Sequence, residues 1–70
     1  MKRLPVESSS LASVGYDATS RVLEVEFRHG AVYRYRDVPP ETSAALLSAE
    51  SKGRFLNEEI RSLYECLKVR

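Results

Sequence analysis

The residues whose types and spacing best suit chemistry are Ser51-Lys52-Gly53-Arg54, and the chemistry is anion binding. They lead into an amphipathic run, and the free N–H groups and dipole at a helix start favour a phosphate. Lys52 and Arg54 add positive charge, with Asn57 and Arg61 one and two turns further on. The same residues also make an ordinary helix-helix turn, with a glycine for its backbone and a serine for its cap. The stretch is no nucleotide-binding P-loop, because the preceding glycine and the Gly-Lys-Ser order are absent. A second basic group is Arg34 and Arg36 on one strand, with Arg28 and His29 beside Gly30. Guanidinium groups match phosphate oxygens in bidentate fashion, but Glu24 and Glu26 share that strand face and can pair with the arginines across it. Arg28 and His29 have fewer acidic neighbours and are the better candidates. Tyr33 and Tyr35 share one strand face, where aromatic side chains either stack on bases or pack in a core; the pairing worked out below favours the core.

Catalytic readings fail on partners. The lone His29 has nothing to orient it as a base for a serine, Cys66 falls near the C-terminal end of a predicted helix where a thiolate is disfavoured, and Glu58 and Glu59 diverge. The chain is expected to be no enzyme, with no cofactor and no metal site.

The element that positions these groups is a hairpin over residues 22–39. Leu23, Val25 and Phe27 alternate with Glu24, Glu26 and Arg28, and Tyr33 and Tyr35 continue the alternation after Gly30. A two-residue turn at His29-Gly30 mixes the faces. A three-residue loop, Arg28-His29-Gly30, pairs Phe27 with Ala31, Val25 with Tyr33, Leu23 with Tyr35 and Glu24 with Arg34, and it puts Gly30 where positive φ is needed. Before the hairpin, residues 8–16 predict a strand with an irregularity at Gly15, with Ser9, Leu11 and Ser13 on one face and Val14 and Tyr16 on the other. A turn at Asp17 to Ser20 joins it to Val22. Pro39-Pro40 ends the sheet, a short helix follows from Glu41 to Ser48, and a second runs from about Arg54 to Leu67 on the stripe Leu56, Ile60, Leu63, Leu67. The expected fold is α+β: a three-stranded antiparallel meander with two C-terminal helices packed on one face. Residues 1–7 read as a loosely ordered lead and residues 8–68 as one domain.

With 70 residues, 11 basic and 10 acidic, the chain forms one small core and carries no global field for nucleic acid or membranes. One cysteine excludes an internal disulfide, and no signal-like or membrane-length apolar run is present, so the expected setting is cytoplasmic and reducing, with no membrane partner.

The succession Ser8-Ser9, Val14-Gly15-Tyr16-Asp17, Leu23-x-Val25-x-Phe27-x-x-Gly30, Tyr33-x-Tyr35-x-x-Val38-Pro39 and Ser51-Lys52-Gly53-x-Phe55-x-Asn57-x-x-Ile60-Arg61 resembles the KTSC domain from about Ser8 to Tyr64. That family occurs at the C-terminus of some lysyl-tRNA synthetases and as small stand-alone bacterial proteins. The resemblance implies an uncharacterised domain for which the synthetase suggests RNA, tRNA-like in kind, as a partner. The expected function is RNA binding through Lys52, Gly53, Arg54 and Arg61, helped by Arg28, Arg34 and Arg36. The alternative is a protein-interaction or homo-oligomerisation module that uses the edge of the first or third predicted strand, or docks a partner on the sheet face.

Overall fold

In the computed structural model, which describes residues 1–70, an antiparallel sheet carries the chain in the order β1 (Leu4–Pro5), β2 (Leu11–Asp17), β3 (Val22–Phe27), β4 (Val32–Tyr35) and β5 (Cys66–Lys68). Between β4 and β5 lie α1 (Pro40–Ser48), α2 (Lys52–Phe55) and a π-helical segment (Leu56–Ile60) that continues α2. The α+β class holds, but the sheet has five strands rather than three.

The hairpin takes the register that alternation demands. Leu23 faces Tyr35, Glu24 faces Arg34 and Val25 faces Tyr33. Phe27 N–H donates to Ala31 O at 2.9 Å and Gly30 N–H donates to Phe27 O at 2.9 Å, which closes the loop Arg28-His29-Gly30. Gly30 sits at φ 104°, and a Cβ there would meet nothing within 4 Å. Steric room is therefore not the constraint; the backbone angle is. Gly30→Val should cost about 1–3 kcal/mol of stability from strain alone. Urea denaturation checks this, and an unchanged midpoint would contradict the loop geometry.

In β2 the irregularity lies elsewhere than predicted. Gly15 is in regular register opposite Glu24, whereas the pairing shifts between Leu11 and Ser13. That extra residue reverses the side-chain parity, so Leu11 joins Val14 and Tyr16 on the core side instead of facing away from them. Gly15 answers a different need: a Cβ there would lie 2.6 Å from Lys2 O, because the N-terminal lead crosses the outer sheet face at that point. Within the lead of residues 1–7, Leu4 and Pro5 pair with Val14 and Ser13 as β1.

The core consists of Leu11, Val14, Leu23, Val25 and Tyr35 from the sheet, Val38, Leu46 from α1, and Leu56 and Ile60 from the second helical unit. Pro40 opens α1 at a position where its missing N–H costs nothing. The second helical unit ends at Ile60, not near Leu67. Leu63 and Leu67 are 67% and 62% exposed, and residues 66–68 form β5 against β4. The apolar stripe outruns the sheet it could cover, while the open edge of β4 offers backbone partners. Val32 N–H donates to Arg70 O and Val69 N–H to Val32 O, which extends this pairing past Lys68. The edges of β2 and β4, which one form of the interaction-module reading uses for strand pairing, are thus occupied by β1 and β5. No helix is long and apolar enough to cross a membrane.

Candidate functional site

Three segments distant in sequence meet beside the hairpin tip. The loop before β2 is turned by Ser8, whose Oγ accepts from Ser10 and Leu11 N–H at 3.1 Å. The hairpin tip holds that loop: Arg28 Nε donates to Ser8 O at 2.7 Å and Arg28 N–H to Ser10 O at 3.0 Å. α2 closes on the same loop at Gly53, where a Cβ would lie 2.9 Å from Ser10 Oγ and 3.0 Å from Ser10 Cβ. Gly53 therefore does not terminate α1, which ends at Ser48; it lies within α2 and permits this close approach.

The junction encloses a groove of about 460 Å³, lined by Ser9, Ser10, Phe27, Arg28, His29, Gly53, Asn57 and Arg61. None of these is acidic. In the π segment, Arg61 N–H reaches back five residues to Leu56 O at 2.7 Å. This wider turn slows the rotation per residue, which keeps Gly53, Asn57 and Arg61 along one wall. Arg61 Nη1 donates to Asn57 Oδ1 at 3.3 Å. A hollow of about 170 Å³, lined by Phe27, His29, Tyr33, Tyr35, Arg61 and Cys66, shares three residues with the groove. The His29 ring is nearly parallel to Phe27, at 6° and 5.6 Å between centroids, and Tyr33 meets Phe27 edge-on at 5.7 Å. Tyr35 is 2% exposed. Burial pushes its phenol pKa up, Cys66 and Tyr33 push the same way, and nearby Arg61 opposes them.

Of the residues the sequence suggested, Arg28, His29, Gly53, Asn57 and Arg61 come together in the groove. The others do not. Lys52 Nζ donates to Ala49 O at 3.2 Å, capping the chain after α1. Arg54 Nε donates to Glu58 Oε2 at 3.2 Å, one turn along. Arg36 lies 3.6 Å from Glu65 on the exposed surface. Ser51 does cap α2, its Oγ accepting from Arg54 N–H at 3.3 Å. Sequence reasoning missed Ser9, Ser10 and Phe27 as groove walls, since only the shifted pairing of β2 brings that loop against the tip.

Arg34 projects from the opposite sheet face and donates from Nε to Glu24 Oε1 at 2.6 Å. Arg3 donates to the other oxygen of Glu24 and, at 3.0 Å, to Ser13 Oγ, which in turn donates to Glu26 Oε1 at 2.8 Å. Glu24 is 3% exposed. Its burial alone would raise the carboxyl pKa, but the hydrogen bonds and charges of Arg34 and Arg3 outweigh that and hold it below the ordinary carboxylate range. The folded state therefore binds this proton less readily than the unfolded chain. Its stabilisation is complete above the unfolded pKa, near 4.3, and is lost as pH falls through the lower folded value. Thermal unfolding between pH 7 and 3 should show a steeper acid loss in the native chain than in Glu24→Gln; equal slopes would mean that Glu24 is not the linked group.

The KTSC domain family model matches residues 7–64. An uncharacterised protein of Stutzerimonas stutzeri is 57% identical over 58 residues, covering 83% of this chain and 82% of that protein. A lysine–tRNA ligase of Nostoc punctiforme is 34% identical over 62 residues, 89% of this chain but 11% of the ligase. The crystal structure of a KTSC domain protein from Yersinia pestis superposes with a TM-score of 0.93 at 41% identity, covering 99% of this chain and 97% of that one. With a fold and a run of motifs shared over nearly its whole length, the chain belongs to the KTSC domain family.

Proposed function

We propose that this chain is a non-enzymatic RNA-binding domain whose phosphate contacts lie in the groove between the hairpin tip and the second helical unit. The observation that carries this reading is a contrast among the arginines. Arg34, Arg36 and Arg54 each sit within 4 Å of a carboxylate, whereas Arg28 and Arg61 have only a carbonyl and an amide oxygen as side-chain partners. A guanidinium held by one neutral oxygen keeps other N–H groups for a phosphate. Ser9, Ser10 and Asn57 add polar groups to the same surface. A segment similar to this chain within proteins named lysine–tRNA ligase supports RNA as the class of ligand.

With formal net charge +1, binding rests on local charge alone and is weak. If about two phosphates are neutralised, log K falls with log salt at a slope near −1.4 for a single strand. A nitrogen-proton NMR titration with tRNA and a short single-stranded RNA, at low and moderate salt, tests this. Expected are salt-sensitive shifts at Ser9, Ser10, Arg28, His29, Gly53 and Arg61; no shifts at low salt would refute RNA binding. A protein-interaction role finds support in a different place, the β5 edge, where Cys66, Leu67 and Lys68 are all exposed and Leu63 stands nearby in sequence. A dimer that persists at high salt by size-exclusion mass would favour that role.

A further inference from the structure

The groove and the hollow have different chemistry and share a boundary. The groove is polar and basic, whereas the hollow is walled by aromatic rings, with Phe27, His29 and Arg61 common to both. A nucleotide has the same division, a charged phosphate joined through a sugar to a flat ring. Resting on the RNA-binding reading, we infer that the site takes one unpaired pyrimidine nucleotide, its base in the hollow against Phe27, His29 and Tyr33 and its phosphate on Arg28 and Arg61.

Three observations argue for this. First, the hollow measures about 170 Å³, and an apolar cavity of about 150 Å³ holds benzene; one six-membered ring matches that space better than the fused rings of a purine. Second, the wall includes two phenols, Tyr33 and Tyr35. A phenol hydroxyl both donates and accepts, as the mixed edge of a pyrimidine requires. Third, a base inside a duplex is stacked and paired and cannot enter a side hollow, so only a loop, a bulge or a free strand supplies one. Stacking on rings is sequence-tolerant, so selection for pyrimidine comes from the size of the hollow.

The test compares oligouridine, oligoadenosine and an RNA duplex of equal length by fluorescence anisotropy, with the native chain, Arg61→Gln and His29→Ala. Both substitutions fall on groups outside the buried core, and thermal unfolding checks that each variant folds. Oligouridine should bind the native chain more tightly than the other two. Arg61→Gln should weaken all three RNAs, because it removes a phosphate contact. His29→Ala should weaken oligouridine about fivefold or more and the duplex by clearly less, because it removes a ring from the hollow wall that only an unpaired base reaches. Equal affinity for oligouridine and duplex, or tighter oligoadenosine binding, would overturn the pyrimidine site while leaving the RNA reading intact. A chain that binds none of the three at low salt would overturn both.

Discussion

Tyr35→Ala should lower the unfolding free energy by about 3–5 kcal/mol, the usual cost of truncating a buried aromatic residue. A domain of 70 residues has of the order of 4–10 kcal/mol in total, so this one change brings the chain to the margin of folding. The reason is position. Tyr35 is the last residue of β4, it faces Leu23 across the hairpin, and it belongs to the cluster that Val38, Leu46, Leu56 and Ile60 complete from the helical side. Removing the ring opens a void among residues held by both layers, where collapse is restricted. Guanidinium denaturation measures the effect. A midpoint within error of the native chain would mean that Tyr35 is solvent-facing, and the core described above would be wrong. Tyr35→Phe keeps the ring and should retain most of the stability, which separates packing from the hydroxyl.

The second large effect discriminates between two courses of the chain after Arg54. Ile60→Ala should cost about 2–5 kcal/mol, since Ile60 is fully buried against the sheet. Leu63→Ala should change stability by no more than about 0.5 kcal/mol, since Leu63 is largely exposed. In a helix that continued to Leu67, the two residues would lie on one apolar stripe and both substitutions would be costly. Chemical denaturation of the pair therefore reads out where the helix stops. Comparable losses at both positions would show that the chain keeps its helix past Tyr64 and that β5 does not form.

The inference from sequence was strongest where one local rule admitted one solution. The register of β3 with β4 follows from parity: each strand alternates with period two, and only a three-residue loop puts Leu23, Val25, Tyr33 and Tyr35 on a common side. The need for glycine at the loop end follows from the same geometry. The placement of α1 after Pro39 and the cap of α2 by Ser51 are equally local, because both depend on which backbone groups lack partners at a helix start.

The misplacements share a cause, which is that distant backbone decided the outcome. Gly15 in a strand announces either a bulge or a close approach, and sequence cannot separate them; the crossing of Lys2 over the outer face chose the second. The stripe from Leu56 to Leu67 is well formed, yet helical periodicity carries no information about how far the covered sheet extends. Past Ile60, pairing with β4 satisfies an open strand edge, and that outweighs exposing two leucines.

The candidate site divides in the same way. Sequence alone determined that basic groups stand at the hairpin tip and along the second helical unit, that the sheet presents one apolar face, and that a three-residue hairpin organises both. Only the tertiary structure decided which of those arginines are left without a carboxylate partner. Opposite charge within reach neutralises an arginine, and Glu24, Glu58 and Glu65 reach Arg34, Arg54 and Arg36. Arg28 and Arg61, more than thirty residues apart, came to share a groove because Gly53 lets the helix press on Ser10 while Arg28 binds the same loop from the other side. Charge type is written in the side chain, but its availability depends on neighbours that only folding supplies.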